Sequence, residues 1–126
     1  MSKIIGIGTD MCAVSRMEKA IQKEHFYERV FFEQERAYLE SKENARAQSA
    51  AAMFAAKEAV SKALGTGFIR GIMPWTIEVT HAENGAPGIR LHDAARERLE
   101  ELGGAQVHLS LTHEGDTAMA FAIIEG

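Results

Sequence analysis

The stretch from about Ala45 to Leu64 constrains this chain more than any other. It reads as one long helix built largely of alanine, the best helix former. Met53, Ala56, Val60 and Leu64 share a stripe at helical spacing and mark a core face. Ala51, Ala52, Ala55, Ala59 and Ala63 leave small surfaces on several sides, so other segments can approach closely. Gly65 follows as a C-cap glycine. The rest of the fold must pack around this helix.

Around it the chain reads as short elements. KIIGIGT (3–9) is a strand with both faces apolar, as in a central position, ended by Asp10. VSRMEKAIQKE (14–24) has helical spacing, with Val14, Met17 and Ile21 in one stripe. EQERAYLESK (33–42) is a second, polar helix. After the glycine-rich GTGFIRGIMPW come a strand over 76–82, a turn over 84–88 and a short strand, IRLH. DAARERLEELGG (93–104) is a helix with Asp93 as N-cap and Gly103 as C-cap. Residues 105–125 form two strands around the hairpin HEGD. The order predicts an α+β fold, one domain over 1–126, with an antiparallel-rich sheet packed against the long helix.

Composition narrows the function classes. With 126 residues, 46% hydrophobic and 25% charged, the chain is an ordinary globular one that buries roughly two thirds of its unfolded surface. A net charge of −4 provides no global basic field, which argues against nucleic acid as the main partner. The single cysteine, Cys12, cannot close an intrachain disulfide. MSKIIGIGTD lacks the apolar length of a secretory signal, and AAAMFAA meets Lys57 after seven residues, far short of a membrane span. A cytoplasmic location without membrane attachment is the expectation.

Four stretches bear chemistry. GIGTD starts like a dinucleotide fingerprint, but the third glycine would fall at Met11 and no helix opens at once. That leaves Asp10, either a capping aspartate or a ligand. On the long helix Glu58 and Lys62 stand at i, i+4, the favourable order for a surface ion pair. Their face also carries Phe54, Ser61 and Gly65 and is not plainly solvent-like. A carboxylate, a hydroxyl and an amine beside a glycine loop also suit a phosphate held through a divalent ion, with Asp10 and Glu58 as hard oxygen ligands. In VHLSLTHE (107–114) period two puts His108, Ser110 and Thr112 on one face and Val107, Leu109, Leu111 and His113 on the other. The two histidines therefore point oppositely, which argues against a zinc pair. The returning strand alternates Ala118, Ala120 and Ala122 with larger residues, a face suited to close packing by a helix or another subunit. Arg16, Lys19 and Lys23 form a basic ridge by helical spacing, either solvated or a docking surface.

Taken together, GIGTDMCAVSRM, ERVFFEQERAYL, FAAKEAVSKALGTG and HLSLTHEGDTAMAFAII resemble the holo-acyl-carrier-protein synthases, small phosphopantetheinyl transferases, in order and over nearly the whole chain. The resemblance implies transfer of 4′-phosphopantetheine from coenzyme A to a serine of acyl carrier protein, with Mg²⁺ as cofactor. It implies a homotrimer with active sites between subunits. By motif, Asp10 and Glu58 look like metal ligands and Lys62 like the phosphate-contacting amine. Ser61, Gly65 and His108 look like further coenzyme A contacts, His108 from the adjacent subunit, and Arg16 like a carrier-protein contact. The base is Glu58 or a metal-bound water that it orients. Where many members read R-F-A-A-K-E, this chain has Met53, so the 3′-phosphate is expected to lean on His108, Arg46 or loop amides. The rival classes are a non-catalytic carrier-protein or coenzyme A binding module, against which the intact Asp10, Glu58 and Lys62 count, and a Mg²⁺-dependent diphosphate hydrolase, which leaves the basic ridge without a purpose.

Overall fold

The computed structural model describes residues 2–126. Alanine propensity and a glycine stop produce the central element, α4 (Arg46–Ala63). Leu64 ends it and Gly65 takes φ +82, a left-handed conformation that costs glycine nothing, as a C-cap requires. The N–H groups of Thr66 and Gly67 return to the carbonyl of Ser61, closing the helix end.

A three-stranded antiparallel sheet lies across α4 in the order β1 (Ile4–Ala13), β5 (Thr117–Glu125), β4 (Gln106–Glu114). The registers Asp10↔Ala120 and Leu111↔Ala120 put Asp10, Ala120 and Leu111 side by side. Ala118, Ala120, Ala122 and Ile124 are buried on the helix side. The cover expected over the alanine face is thus α4 of the same chain. No second subunit is needed there, because alanine lets the helix settle directly onto β5.

β1 departs from its expectation in two ways. It is an edge strand, and it runs past Asp10 to Ala13. The reason lies in Gly6 and Gly8. A Cβ on either would sit 2.0 Å from a carbonyl oxygen of α4, that of Ala63 for Gly6 and that of Ala59 for Gly8. The inner face of β1 is therefore bare backbone on backbone, while Ile7 and Met11 point out and stay exposed. Two apolar faces in the sequence become one glycine face and one uncovered face.

The helix expected over 14–24 is two. α1 (Val14–Ala20) stops, the chain turns through Ile21–Lys23, and α2 (Glu24–Val30) follows. The break lets Val30 and Phe31 reach the core alongside Met17 and Ile21, with Phe26 edge-on to Phe31 at 6.4 Å. α3 (Glu33–Glu40) agrees with its expectation, except that Glu35 and Leu39 are buried. β2 (Ile77–His81) and β3 (Pro87–Leu91) make a separate antiparallel pair, β3 starting two residues earlier than expected. α5 (Asp93–Glu101) begins at Asp93, which makes no side-chain cap bond. His92 stands at the N-cap, held by Glu78 at 2.9 Å and by the ring of Phe32. Gly103 closes α5 with φ +75, as expected. The fold is α+β, and no helix among the described residues is long and apolar enough to cross a membrane.

Candidate active site

The close approach of β1 to α4 brings three expected residues together. Asp10 faces the helix from β1, and Glu58 and Lys62 face the strand from successive turns of α4. Lys62 Nζ donates to Asp10 Oδ1 at 2.8 Å and to the carbonyl of Thr9 at 3.0 Å. The side chain of Lys62 is 51% exposed and that of Asp10 15%. Lys62 therefore bonds Asp10 across elements in this structure, where helical spacing had paired it with Glu58. That bond raises the ammonium pKa.

Glu58 is half-buried, and burial is the main cause that lifts its carboxyl above the usual range. The neighbouring Asp10 carboxyl adds to the rise by its charge and by hydrogen bonding, while Lys62 and Arg16 oppose it. Two carboxyls thus face each other with two cations nearby. No group of three or more His, Cys, Asp or Glu side chains that could hold a metal ion gathers among the described residues.

The other expected residues fall differently. Ser61 is 2% exposed and its hydroxyl donates to the carbonyl of Glu58 at 2.7 Å, so it closes the helix turn. Gly65 is exposed at the start of the loop. His108 lies on the outer face of the sheet, opposite to Asp10, with Nε2 2.9 Å from Glu125 Oε1. Within one chain it does not join Asp10, Glu58 and Lys62. Arg16 and Lys19 are exposed on α1, but Lys23 lies in the turn beyond it. The basic ridge is thus not one helix face, because the helix ends at Ala20. Met53 is 1% exposed, in the core. Arg46 stacks over Tyr27 at 5.0 Å. A cleft of about 370 Å³ opens between α4, β4 and the β2–β3 hairpin, lined by Gln48, Met53, His81, Ser110 and His113 among others. Asp10, Glu58 and Lys62 are not in its lining.

One ion pair escaped the reading of the sequence. Lys57, the neighbour of Glu58, is wholly buried with Glu35 of α3. Its Nζ donates to Glu35 Oε1 at 2.9 Å and to the carbonyls of Pro74 and Ile77 at 3.0 and 2.6 Å. Glu35 also accepts the N–H groups of Phe32 and Val79. Burial pushes the Glu35 pKa up and that of Lys57 down. The signal was present: Lys57 continues the stripe of Met53, Val60 and Leu64, where a solvated lysine does not belong.

Comparison with known proteins identifies the family. A family profile described as the 4′-phosphopantetheinyl transferase superfamily matches residues 6–122. A holo-[acyl-carrier-protein] synthase of Treponema denticola is 47% identical over 123 residues, 98% of this chain and 99% of that one. The crystal structure of the holo-[acyl-carrier-protein] synthase of Neisseria meningitidis superposes with a TM-score of 0.87 at 32% identity, covering 98% of this chain and all of that one (100%). A holo-(acyl-carrier-protein) synthase of Bacillus anthracis, solved in complex with CoA (3′,5′-ADP), superposes with a TM-score of 0.81 at 34% identity over 98% and 97% of the two chains. With Asp10, Glu58 and Lys62 joined where β1 meets α4, and with likeness running from end to end, this chain belongs to the holo-acyl-carrier-protein synthases of the 4′-phosphopantetheinyl transferase superfamily.

Proposed function

We propose that this chain transfers 4′-phosphopantetheine from coenzyme A to a serine of apo acyl carrier protein, releasing adenosine 3′,5′-bisphosphate, in the cytoplasm and in support of fatty acid biosynthesis. The observation that carries the reading is the meeting of Asp10, Glu58 and Lys62. A relative with CoA (3′,5′-ADP) bound supports the donor. Of the candidate residues, these three and the loop from Gly65 form the working site, and the described chain is one transferase domain.

Mg²⁺ is the cofactor that the resemblance implies, and Asp10 and Glu58 fit it. This ion takes one or two protein carboxylates and leaves its other positions to phosphate and water. Two facing carboxyls, one of them lifted above its usual range first by burial and then by the other, are a pair that a cation relieves. Bound there, Mg²⁺ supplies positive charge beside the diphosphate. Lys62, exposed and firmly protonated, holds phosphate oxygens once it leaves Asp10. The serine Oγ attacks the phosphorus that carries pantetheine, and the bond from that phosphorus to the bridging oxygen breaks. The serine proton passes to Glu58, directly or through a water that it orients.

The resting chain supplies only part of this site. Ile7, Met11, Met119 and Phe121 leave the outer face of the sheet exposed and apolar, the same face that bears His108. We place a second copy against that face, in a homotrimer. His108 then contacts the coenzyme A held at the Asp10–Glu58 pair of a neighbour. The cleft beside Met53 takes the nucleotide end of coenzyme A, while Ser61, buried with its hydroxyl on the carbonyl of Glu58, steadies the turn that carries Glu58 and Lys62. An acidic carrier protein docks on α1 at Arg16 and Lys19, with Lys23 just beyond.

Product analysis tests the reading. With coenzyme A, Mg²⁺ and apo carrier protein, adenosine 3′,5′-bisphosphate should form in step with carrier consumed and should not form without carrier. Release without carrier would indicate a hydrolase, and no release in any mixture a binding module.

A further inference from the structure

The hairpin between β4 and β5 reaches back to the opposite end of the sequence. Asp116 Oδ1 accepts the N–H of Ser15 at 2.8 Å, and Oδ2 accepts the Ser15 hydroxyl at 2.6 Å. The backbone carbonyl of Asp116 accepts the N–H of Val14 at 2.7 Å. Three bonds thus meet the first two residues of α1. The helix has no cap of its own, since Ala13 at its N-cap carries no side-chain acceptor. A carboxylate aimed at the free N–H groups of a first turn is the usual cap and also suits the helix dipole, but here it arrives from another element.

α1 has seven residues, too few to hold itself in water. Met17 and Ile21 anchor its far end in the core, while the first turn, which contains Arg16, is tied down by Asp116. β1, which carries Asp10, runs directly into α1 at Val14, so Arg16 in the first turn follows closely on Asp10. The end of α1 nearest the candidate active site is therefore the end that the hairpin holds.

We propose that Asp116 is a positioning residue for recognition of the carrier protein, acting through Arg16 by capping α1. The proposal rests on the docking of the carrier on α1 given above. The loss of an ordinary cap is worth about a fivefold change in an equilibrium. Steady-state kinetics on the full chain, varying carrier protein and coenzyme A separately, read that change. Asp116→Ala should raise KM for carrier protein about fivefold and move KM for coenzyme A less than about twofold. Asp116→Asn, whose amide oxygen still accepts from Ser15, should recover most of the loss. Ser15→Ala, which removes only the hydroxyl bond, should give a smaller rise in the same constant and serves if Asp116→Ala does not fold. Arg16→Ala is the control for docking. If it leaves the carrier constant unchanged, the docking reading fails and the proposal with it. If it raises that constant while Asp116→Ala and Ser15→Ala do not, the proposal alone is overturned. Equal rises in both constants, or no recovery with asparagine, also overturn it.

Discussion

Lys62 bonds Asp10 in the folded chain, although helical spacing pairs it with Glu58. Lys62 reaches across to β1, leaving Glu58 to face Asp10 as a second carboxyl. Asp10→Ala and Glu58→Ala should each lower turnover by about 10²–10⁴-fold, with the far-ultraviolet circular dichroism unchanged. Near-normal turnover at low Mg²⁺ in either variant would remove that residue from the site. The residue types were legible in the sequence, because a carboxylate on a strand and a Glu-x-x-x-Lys face beside glycines stand out. Their geometry was not, because the bond that orients Lys62 joins residues 52 apart. His81 permits a prediction for pH. Burial, and then the charge of Lys42, push its pKa below the ordinary value, and its ring stacks on Tyr38 at 3.8 Å. The folded state therefore favours the neutral ring, while the unfolded chain titrates near 6.5. Stability should fall as pH drops below about 6.5 toward the lower folded value, and be level above it. His81→Phe should flatten that slope in denaturant titrations at several pH values.

Among the elements, α4 was the most legible, since alanine, the core stripe and Gly65 all favour the same helix. The strand order was less so. Glycine has no side chain to assign to a face, so Gly6 and Gly8 concealed that β1 lies bare against α4 at a sheet edge. The split into α1 and α2 was hidden because Ile21 continues the spacing of Met17, although Phe26 and Val30 carry their own period. The buried Lys57–Glu35 pair joins α4 to α3 and β2. Lys57→Met leaves Glu35 buried without its cation and should cost about 3–5 kcal/mol in urea unfolding. The double variant Glu35→Leu with Lys57→Met should lose much less, because an apolar pair replaces two desolvated charges. Equal losses in the two proteins would mean that the backbone N–H groups of Phe32 and Val79, which Glu35 also serves, matter more than the charge pair.

For the whole molecule, the proposed site needs more than one copy, since His108 and Asp10 lie on opposite faces of one sheet. Mixed Glu58→Ala and His108→Ala chains, each inactive alone, should regain activity after subunit exchange, because some clefts then combine two intact halves. Recovery should approach a fixed fraction of the wild-type rate as exchange completes, and none after verified exchange would argue for sites built from single chains. Net charge and composition placed the chain among ordinary globular proteins, and the motifs carried the rest of the functional reading. The most direct measurement is the intact mass of the carrier protein after incubation with wild-type chain, coenzyme A and Mg²⁺. The account predicts that the carrier gains one phosphopantetheine on a serine with the wild-type chain and none with Glu58→Ala. A carrier that keeps its mass with the wild-type chain, while coenzyme A is bound or hydrolysed, would contradict it.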